Sequence, residues 1–178
     1  MRLALSSLLL VAVVSPLQAQ TVRTEAAGLR FTAPSSWRRV PAASDVRAAQ
    51  WTLPRASEAQ EDADLVLFFF GRGKGGSAQD NLDRWYGQFR EPDGSPPRDA
   101  AVLTIRTVHG LRVTEIDLPG TYAPRGEEGQ PKGGFRLLAA IVEGDEGPWF
   151  FKAVGPAATI AQAKPAFEAL LASLEPHR

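Results

Sequence analysis

Two neighbouring segments of the chain, residues 135–143 and 149–155, are apolar at almost every position. Because successive side chains of a strand point to opposite faces, strands of this composition belong in a sheet that is covered on both sides. The polar residues 144–147 between them fit a hairpin turn, and the apolar spacing from Ile160 to Leu174 fits an amphipathic helix. We therefore expect the centre of a covered sheet here, followed by a helix that packs on it.

Further strands are predicted earlier in the chain. Residues 21–27 fit a loose leader, 28–34 and 46–53 fit short strands that end at prolines, and 64–70 fits a second strand that is apolar on both faces. In the last helix, Thr159 and Gln162 fit a capping box, which places Pro165 beyond the first turn. The helix then either kinks there or restarts near Pro165, and we expect the restart, since proline is well placed at a first helical position.

Residues 101–122 fit a hairpin that turns at His109 and Gly110, two residues that tolerate the positive φ of a two-residue turn. This turn fixes a register in which Leu103 lies opposite Ile116 on a face predicted to be core. The opposite face carries polar side chains and is expected to be wet: Thr104, Arg106, Glu115 and Asp117.

The element order is three strands, a helix, four strands and a helix, which favours an α+β fold. We expect a mainly antiparallel sheet of about six or seven strands with helices packed on both faces. Residues 20–178 have the length of one domain.

The first 19 residues are predicted to be a secretory signal peptide. Arg2 precedes an apolar run over residues 3–14, and cleavage is expected after Ala19. The run is too short to span a bilayer, and the chain has no cysteine for lipid attachment or a thiolate metal site. We expect a periplasmic or secreted protein with no membrane span in its mature part.

The charge balance argues against nucleic acid as a partner. Twenty basic residues match twenty acidic ones, so the net charge is zero, whereas nucleic-acid binding needs a basic excess on one face. The loop predicted at 125–134 is charged and rich in glycine, and is expected to be mobile.

The segment 71–76 matches the pattern GxGxxG and precedes a helix that Ser77 is expected to cap, with Asp80 completing a capping box. No βαβ unit follows, so a dinucleotide site is disfavoured, and a Walker loop is excluded because Ser77 stands where lysine is needed. Weak anion or partner contact through Arg72, Lys74 and Ser77 remains a hypothesis. A flexible connection is the alternative.

Other candidate groups carry weaker signals. His109 and His177 have no nucleophile context, and no spacing supports a metal site or a cofactor. Lys152 interrupts an apolar strand, and two interpretations are open: its stem extends to an edge, or its ammonium pairs with Glu115 or Asp117. Three aromatic residues are candidates for an apolar cleft, with core packing as the alternative: Trp85, Trp149 and Phe151.

The segments GLRFTAPSSW (28–37) and WFFKAVGPAAT (149–159), with the helix that follows, resemble small exported bacterial proteins of unknown function and, more distantly, the PsbP-like fold. The resemblance implies an antiparallel sheet between helices and a non-catalytic adaptor role, and it carries no functional residue over to this chain. We expect a non-enzymatic exported domain that binds a protein or envelope partner through the wet hairpin face and the loops at 71–76 and 125–134. The alternatives are an apolar-ligand carrier and, last, an unrecognised hydrolase.

Overall fold

The computed structural model describes residues 20–123 and 130–177. The predicted signal peptide and residues 125–129 of the loop predicted at 125–134 lie outside these residues, and the last three residues of that loop belong to the strand Lys132–Glu143. Within the described residues are eleven strands and three helices. In chain order they are β1 (Thr21–Ala26), β2 (Leu29–Pro34), β3 (Arg38–Val40), β4 (Arg47–Leu53), β5 (Ala63–Phe69), α1 (Ala78–Tyr86), β6 (Phe89–Arg90), α2 (Pro97–Ala100), β7 (Val102–Val108), β8 (Leu111–Tyr122), β9 (Lys132–Glu143), β10 (Trp149–Pro156), α3 (Ala157–Ala172) and β11 (Glu175–Pro176).

The strands form two antiparallel sheets. The larger has eight strands in the order β3-β4-β5-β10-β9-β8-β6, with β7 paired to β8 beside β6, and the smaller has the order β1-β2-β11. The prediction of a mainly antiparallel sheet is confirmed, although the number of strands exceeds six or seven. The residues predicted to be a loose leader instead form β1, which pairs with β2 from Thr21 to Ala26.

The doubly apolar strands β5, β10 and β9 lie side by side at the centre of the large sheet. Their side chains alternate between two separate hydrophobic clusters, one on each face of the sheet, as the sequence pattern predicts. The first face of the sheet, defined by Leu65, Phe151 and Leu138, is covered by α3 and by the small sheet. The second face carries Ile116, Ile141 and Phe150 together with two side chains of α1.

The two faces are covered unequally, which corrects the prediction of helices packed on both. From α1, which has nine residues, only Leu82 and Trp85 are buried core side chains of the second cluster. The rest of that cluster's buried side chains come from strands of the large sheet, including β6. Part of the second face is therefore left as an open surface.

The last helix also differs from the prediction. α3 runs without a restart from Ala157 to Ala172 with Pro165 inside it, so one backbone hydrogen bond is lost. The buried stripe formed by Ile160, Phe167 and Leu171 spans the proline, and its continuous burial outweighs that loss. Thr159 is not a cap; its hydroxyl donates to the Glu61 carbonyl at 3.0 Å.

The hairpin of β7 and β8 has the predicted register but not the predicted burial. His109 and Gly110 both have positive φ, and Leu103 lies opposite Ile116. Ile116 is buried, whereas Leu103 is exposed, because β7 is the outermost strand and α1 does not extend over it. The prediction of a core face is thus wrong for β7 and right for Ile116.

Candidate functional site

The open part of the second face forms a groove of about 490 Å³, a volume within the range of small-molecule sites. Its floor comes from the central pair of strands. In their register Lys152 lies opposite Val66 and Val154 lies opposite Asp64. Because these four residues alternate with core residues of the first face, their side chains all point to the second face. The floor therefore combines two valines with one lysine and one aspartate.

Aromatic rings line the groove on both sides of this floor. Phe68 follows Val66 on β5. On the other side the rings of Tyr122 and Phe135 stack at 6.1 Å between centroids and 7° between planes. Phe89 also packs against Tyr122, at 5.4 Å between centroids and 54° between planes. These contacts hold Tyr122 and Phe135 as a fixed apolar wall.

Three cations of the groove lie over these rings. The Arg47 guanidinium carbon is 5.7 Å from the Phe68 centroid. The Lys132 ammonium is 5.2 Å from the Phe135 ring, and the Lys152 ammonium is 5.6 Å from the Tyr122 ring. A cation over an aromatic face is stabilised by about 0.5–1 kcal/mol at exposed sites and by more where water is excluded. The groove thus presents positive charge directly beside apolar surface.

Acidic residues gather at one end of the groove. Glu61, Asp62 and Asp64 line it there, at and before the start of β5. Arg47 lies opposite Phe68, toward the other end of that strand. Glu61 accepts a hydrogen bond from Lys132 at 3.0 Å, and Asp62 accepts one from the Arg55 backbone N–H at 3.0 Å. The acidic end is therefore partly neutralised by local partners, while Arg90 adds a further cation to the lining.

Lys152 is the groove residue that stands out in the sequence, because it interrupts an apolar strand. The predicted ion pair of Lys152 with Glu115 or Asp117 is wrong. Glu115 and Asp117 lie on the first face of the sheet, beside α3, whereas Lys152 points to the second face. The reason is that successive side chains of a strand point to opposite faces of the sheet. The sheet therefore separates both carboxylates from Lys152.

The hairpin face that was expected to be wet is instead half-buried beneath α3. Arg106 pairs with Glu115 at 2.6 Å. The Arg136 guanidinium donates two hydrogen bonds of 2.6 Å to Asp117, and Lys164 of α3 donates a third at 2.7 Å. Most of this predicted partner surface is therefore occupied by an internal ion-pair cluster.

The two carboxylates of this cluster have opposite pKa shifts. Burial raises the pKa of Glu115 above its ordinary value of 4.5, and the attraction of Arg106 does not offset it. Burial acts in the same direction on Asp117, but the hydrogen bonds from Arg136 and Lys164 outweigh it and lower the pKa below 3.8. The partners of Asp117 thus favour its ionised form more than burial disfavours it, and for Glu115 the balance is the reverse.

Replacing Asp117 with asparagine is expected to lower the free energy of unfolding at pH 7 by about 2 kcal/mol, because charge-assisted hydrogen bonds are lost. Since the folded pKa lies below the unfolded one, this stabilisation is present above about pH 4 and is lost as the pH falls through the folded pKa. Urea denaturation at pH 7 and pH 3 checks this, and the gap between wild type and variant should shrink at pH 3.

Glu115→Gln is the matched control, with the opposite dependence on pH. Its raised folded pKa makes ionisation costly in the folded protein, so wild type should lose stability relative to this variant as the pH rises past about 4.5. A gap for Asp117→Asn that is equal at both pH values would contradict this description of the cluster.

The segment 71–76 leads into α1 as predicted, and Ser77 caps the helix. The Ser77 hydroxyl accepts from the Asp80 backbone N–H at 3.1 Å. In return the Ser77 backbone N–H and hydroxyl donate to the Asp80 carboxylate at 3.0 and 2.7 Å. The capping box is confirmed. In it the Asp80 carboxylate already accepts from the Ser77 N–H and hydroxyl, the donors that an external anion would use.

The surroundings of this segment are acidic, which weakens the anion hypothesis. Arg72 lies 3.8 Å from Glu146. Lys74 and Ser77 face a depression that Glu143 and Asp145 also line. Contact of Arg72, Lys74 and Ser77 with an anion stays a prediction that nothing in this geometry favours.

The aromatic residues predicted to form a cleft do not come together. Trp149 and Phe151 are buried in the first cluster, and Trp85 is buried in the second, on the other side of the sheet. The Trp149 indole N–H donates to the Ala27 carbonyl at 2.9 Å, which ties the small sheet to the large one. The prediction of a cleft lined by these three residues is wrong, and core packing accounts for them.

The two histidines have separate local partners. His109 Nδ1 lies 2.8 Å from the Leu174 carbonyl, and His177 Nδ1 lies 3.0 Å from Glu25. Over residues 20–123 and 130–177, no cluster of three or more His, Cys, Asp or Glu side chains could hold a metal ion. A search of the same residues finds no helix with the length and apolar character needed to cross a membrane.

No family model matches the chain, and no curated protein matches it either. Among solved structures it is similar to the cyanobacterial PsbP (CyanoP) of Synechocystis sp. PCC 6803, with a TM-score of 0.53 and 16% identity over 95% of this chain and 98% of that one. The fold is PsbP-like. A protein of unknown function from Pseudomonas aeruginosa, PA94, described as a putative regulator, matches with a TM-score of 0.51 and 15% identity over 89% of this chain and 98% of that one.

Identities this low show the fold and nothing more, so the PsbP-like resemblance predicted from the sequence is confirmed at that level. A PsbP-like fold does not by itself imply a ligand or a reaction. What this chain does has to be argued from its groove.

Proposed function

We propose that the protein is an exported, non-enzymatic binding module whose groove takes an amphipathic anion, namely a carboxylate or phosphate joined to an apolar body. The observation that carries this is the placement of Arg47, Lys132 and Lys152 over three aromatic rings of one groove. Such a surface offers charge and apolar contact within a few ångströms, which an amphipathic anion can use at once. This ligand class includes components of a bacterial envelope.

Two further features support the proposal. The floor residues Val66 and Val154 and the wall residue Phe135 supply apolar area for the body of the ligand. Export is supported by the apolar run over residues 3–14 and the small-residue site at 17–19.

Three probes with the same ten-carbon chain test the proposal: decanoate, decan-1-ol and decylammonium. Titration calorimetry on protein purified after expression of the full chain, below the concentrations at which the probes form micelles, should show saturable binding of decanoate. We expect its dissociation constant to be at least about tenfold lower than that of the alcohol, which corresponds to about 1.4 kcal/mol. Decylammonium should bind more weakly still.

Equal affinities for the three probes would contradict the electrostatic part of the proposal. Absence of saturable decanoate binding would contradict the whole of it. Binding of a protein partner, which the sequence also predicts, stays a prediction. Of the surfaces expected to carry it, the hairpin face contacts α3 through Lys164 and the Glu168 carbonyl, and the loops at 71–76 and 125–134 are the others.

A further inference from the structure

The outermost strand of the large sheet, β7, carries an unusual amount of exposed apolar surface. Val102 is 62% exposed, Leu103 47% and Ile105 59%. They are three of the five exposed large hydrophobic residues in the described part of the chain. Proteins ordinarily protect an edge strand with proline, lysine, a bulge or a covering element. β7 contains neither proline nor lysine.

The only charge of β7 is directed away from its free edge. Arg106 is held by Glu115 at 2.6 Å and by the Glu168 carbonyl at 3.4 Å, both on the α3 side of the sheet. Within the described residues β7 pairs with β8 alone, so its other edge offers unpaired backbone groups. A seven-residue strand of this kind is a template for another strand.

The hairpin turn determines which backbone groups are free. Val108 and Leu111 flank the two-residue turn and face each other, and residues in that position form a hydrogen-bonded pair. By alternation, the even-numbered residues of β7 direct their N–H and C=O groups at β8. Leu103, Ile105 and Thr107 therefore direct theirs outward.

We propose that these groups pair with β7 of a second copy of this chain, antiparallel about a two-fold axis at Ile105. In that register Ile105 faces Ile105 of the second copy and Leu103 faces Thr107, so all the outward groups are used in about six hydrogen bonds. Thr104 then faces Arg106, and no like charges oppose each other. The two eight-stranded sheets become one continuous sheet, and the exposed Leu103 and Ile105 side chains cover each other.

The chain has no cysteine, so single cysteines report this register directly. Paired residues of this kind lie about 5.5 Å apart between Cα atoms, within the range of a disulfide. Under mild oxidation Ile105→Cys should form a covalent dimer, and a mixture of Leu103→Cys and Thr107→Cys should form the mixed dimer. Leu103→Cys alone should link poorly, because its two copies lie about 13 Å apart along the strand.

Val22→Cys is the matched control, since Val22 is also an exposed strand valine, and it should remain monomeric. Sedimentation velocity adds a test without oxidation: Ile105→Lys and Ile105→Glu should each raise the dimer dissociation constant at least about tenfold, and mixing them should restore the dimer. A wild-type protein that stays monomeric at millimolar concentration would overturn the proposal. So would linkage of Leu103→Cys as efficient as that of Ile105→Cys.

Discussion

Replacement of Trp149 by alanine is expected to lower the free energy of unfolding by about 3–5 kcal/mol. The side chain is fully buried in the first cluster and stacks on Phe69 at 5.3 Å. Its indole N–H also satisfies the Ala27 carbonyl at 2.9 Å. The substitution leaves a large cavity and a partly buried carbonyl without its donor at the junction of the two sheets, and both effects destabilise the fold.

Urea denaturation monitored by circular dichroism measures this change. Trp149→Phe keeps most of the apolar volume and should lose a smaller part, about 1–2 kcal/mol, through the missing hydrogen bond. Val22→Ala, at an exposed position, should change stability by less than about 0.5 kcal/mol. A ligand cleft lined by Trp149 would give a different result: Trp149→Ala would cost little stability and would weaken ligand binding. That result would contradict the placement of Trp149 in the core.

Replacement of Lys152 by methionine is expected to weaken decanoate binding at least about tenfold, because the cation in the middle of the groove floor is lost. Methionine keeps the length and apolar character of the lysine stem, so the packing of Val66 and the fold should persist. Lys152 is half-buried, and the apolar stem through which a lysine packs is reproduced by methionine.

Lys74→Met controls for the loss of one positive charge from the protein as a whole. Lys74 is exposed and lies outside the groove, in the segment before α1. Its replacement should leave the dissociation constant of decanoate within about twofold. An affinity that falls equally in both variants would show that the probe responds to net charge and not to the groove.

Much of the fold could be predicted from local patterns. The doubly apolar composition of residues 135–143 and 149–155 placed β9 and β10 at the centre of the sheet, and the turn at His109 and Gly110 fixed the register of β7 on β8. The burial of β7 could not be predicted in this way. It depends on whether α1 extends over the last strand, and nothing in the sequence of β7 encodes the position of that helix.

Of the groove residues, only Lys152 could be recognised in the sequence as a candidate. Lys152 stands out because a lysine interrupts an apolar strand. Its neighbours Phe68, Tyr122 and Phe135 belong to three other strands, far apart in the chain. They meet because the sheet has the order β5-β10-β9-β8, and hairpin signals alone do not determine that β5 inserts beside β10.

If the groove is the binding site, the second face of the sheet binds ligand while the first face is closed core. Backbone and methyl NMR spectra recorded during a decanoate titration distinguish the two faces. We expect saturable shifts at Val66 and Val154 and at the neighbouring Phe135, with the resonances around Phe151 and Leu65 unchanged. Saturable shifts centred on Phe151 and Leu65, or shifts spread evenly over both faces, would contradict binding in the groove.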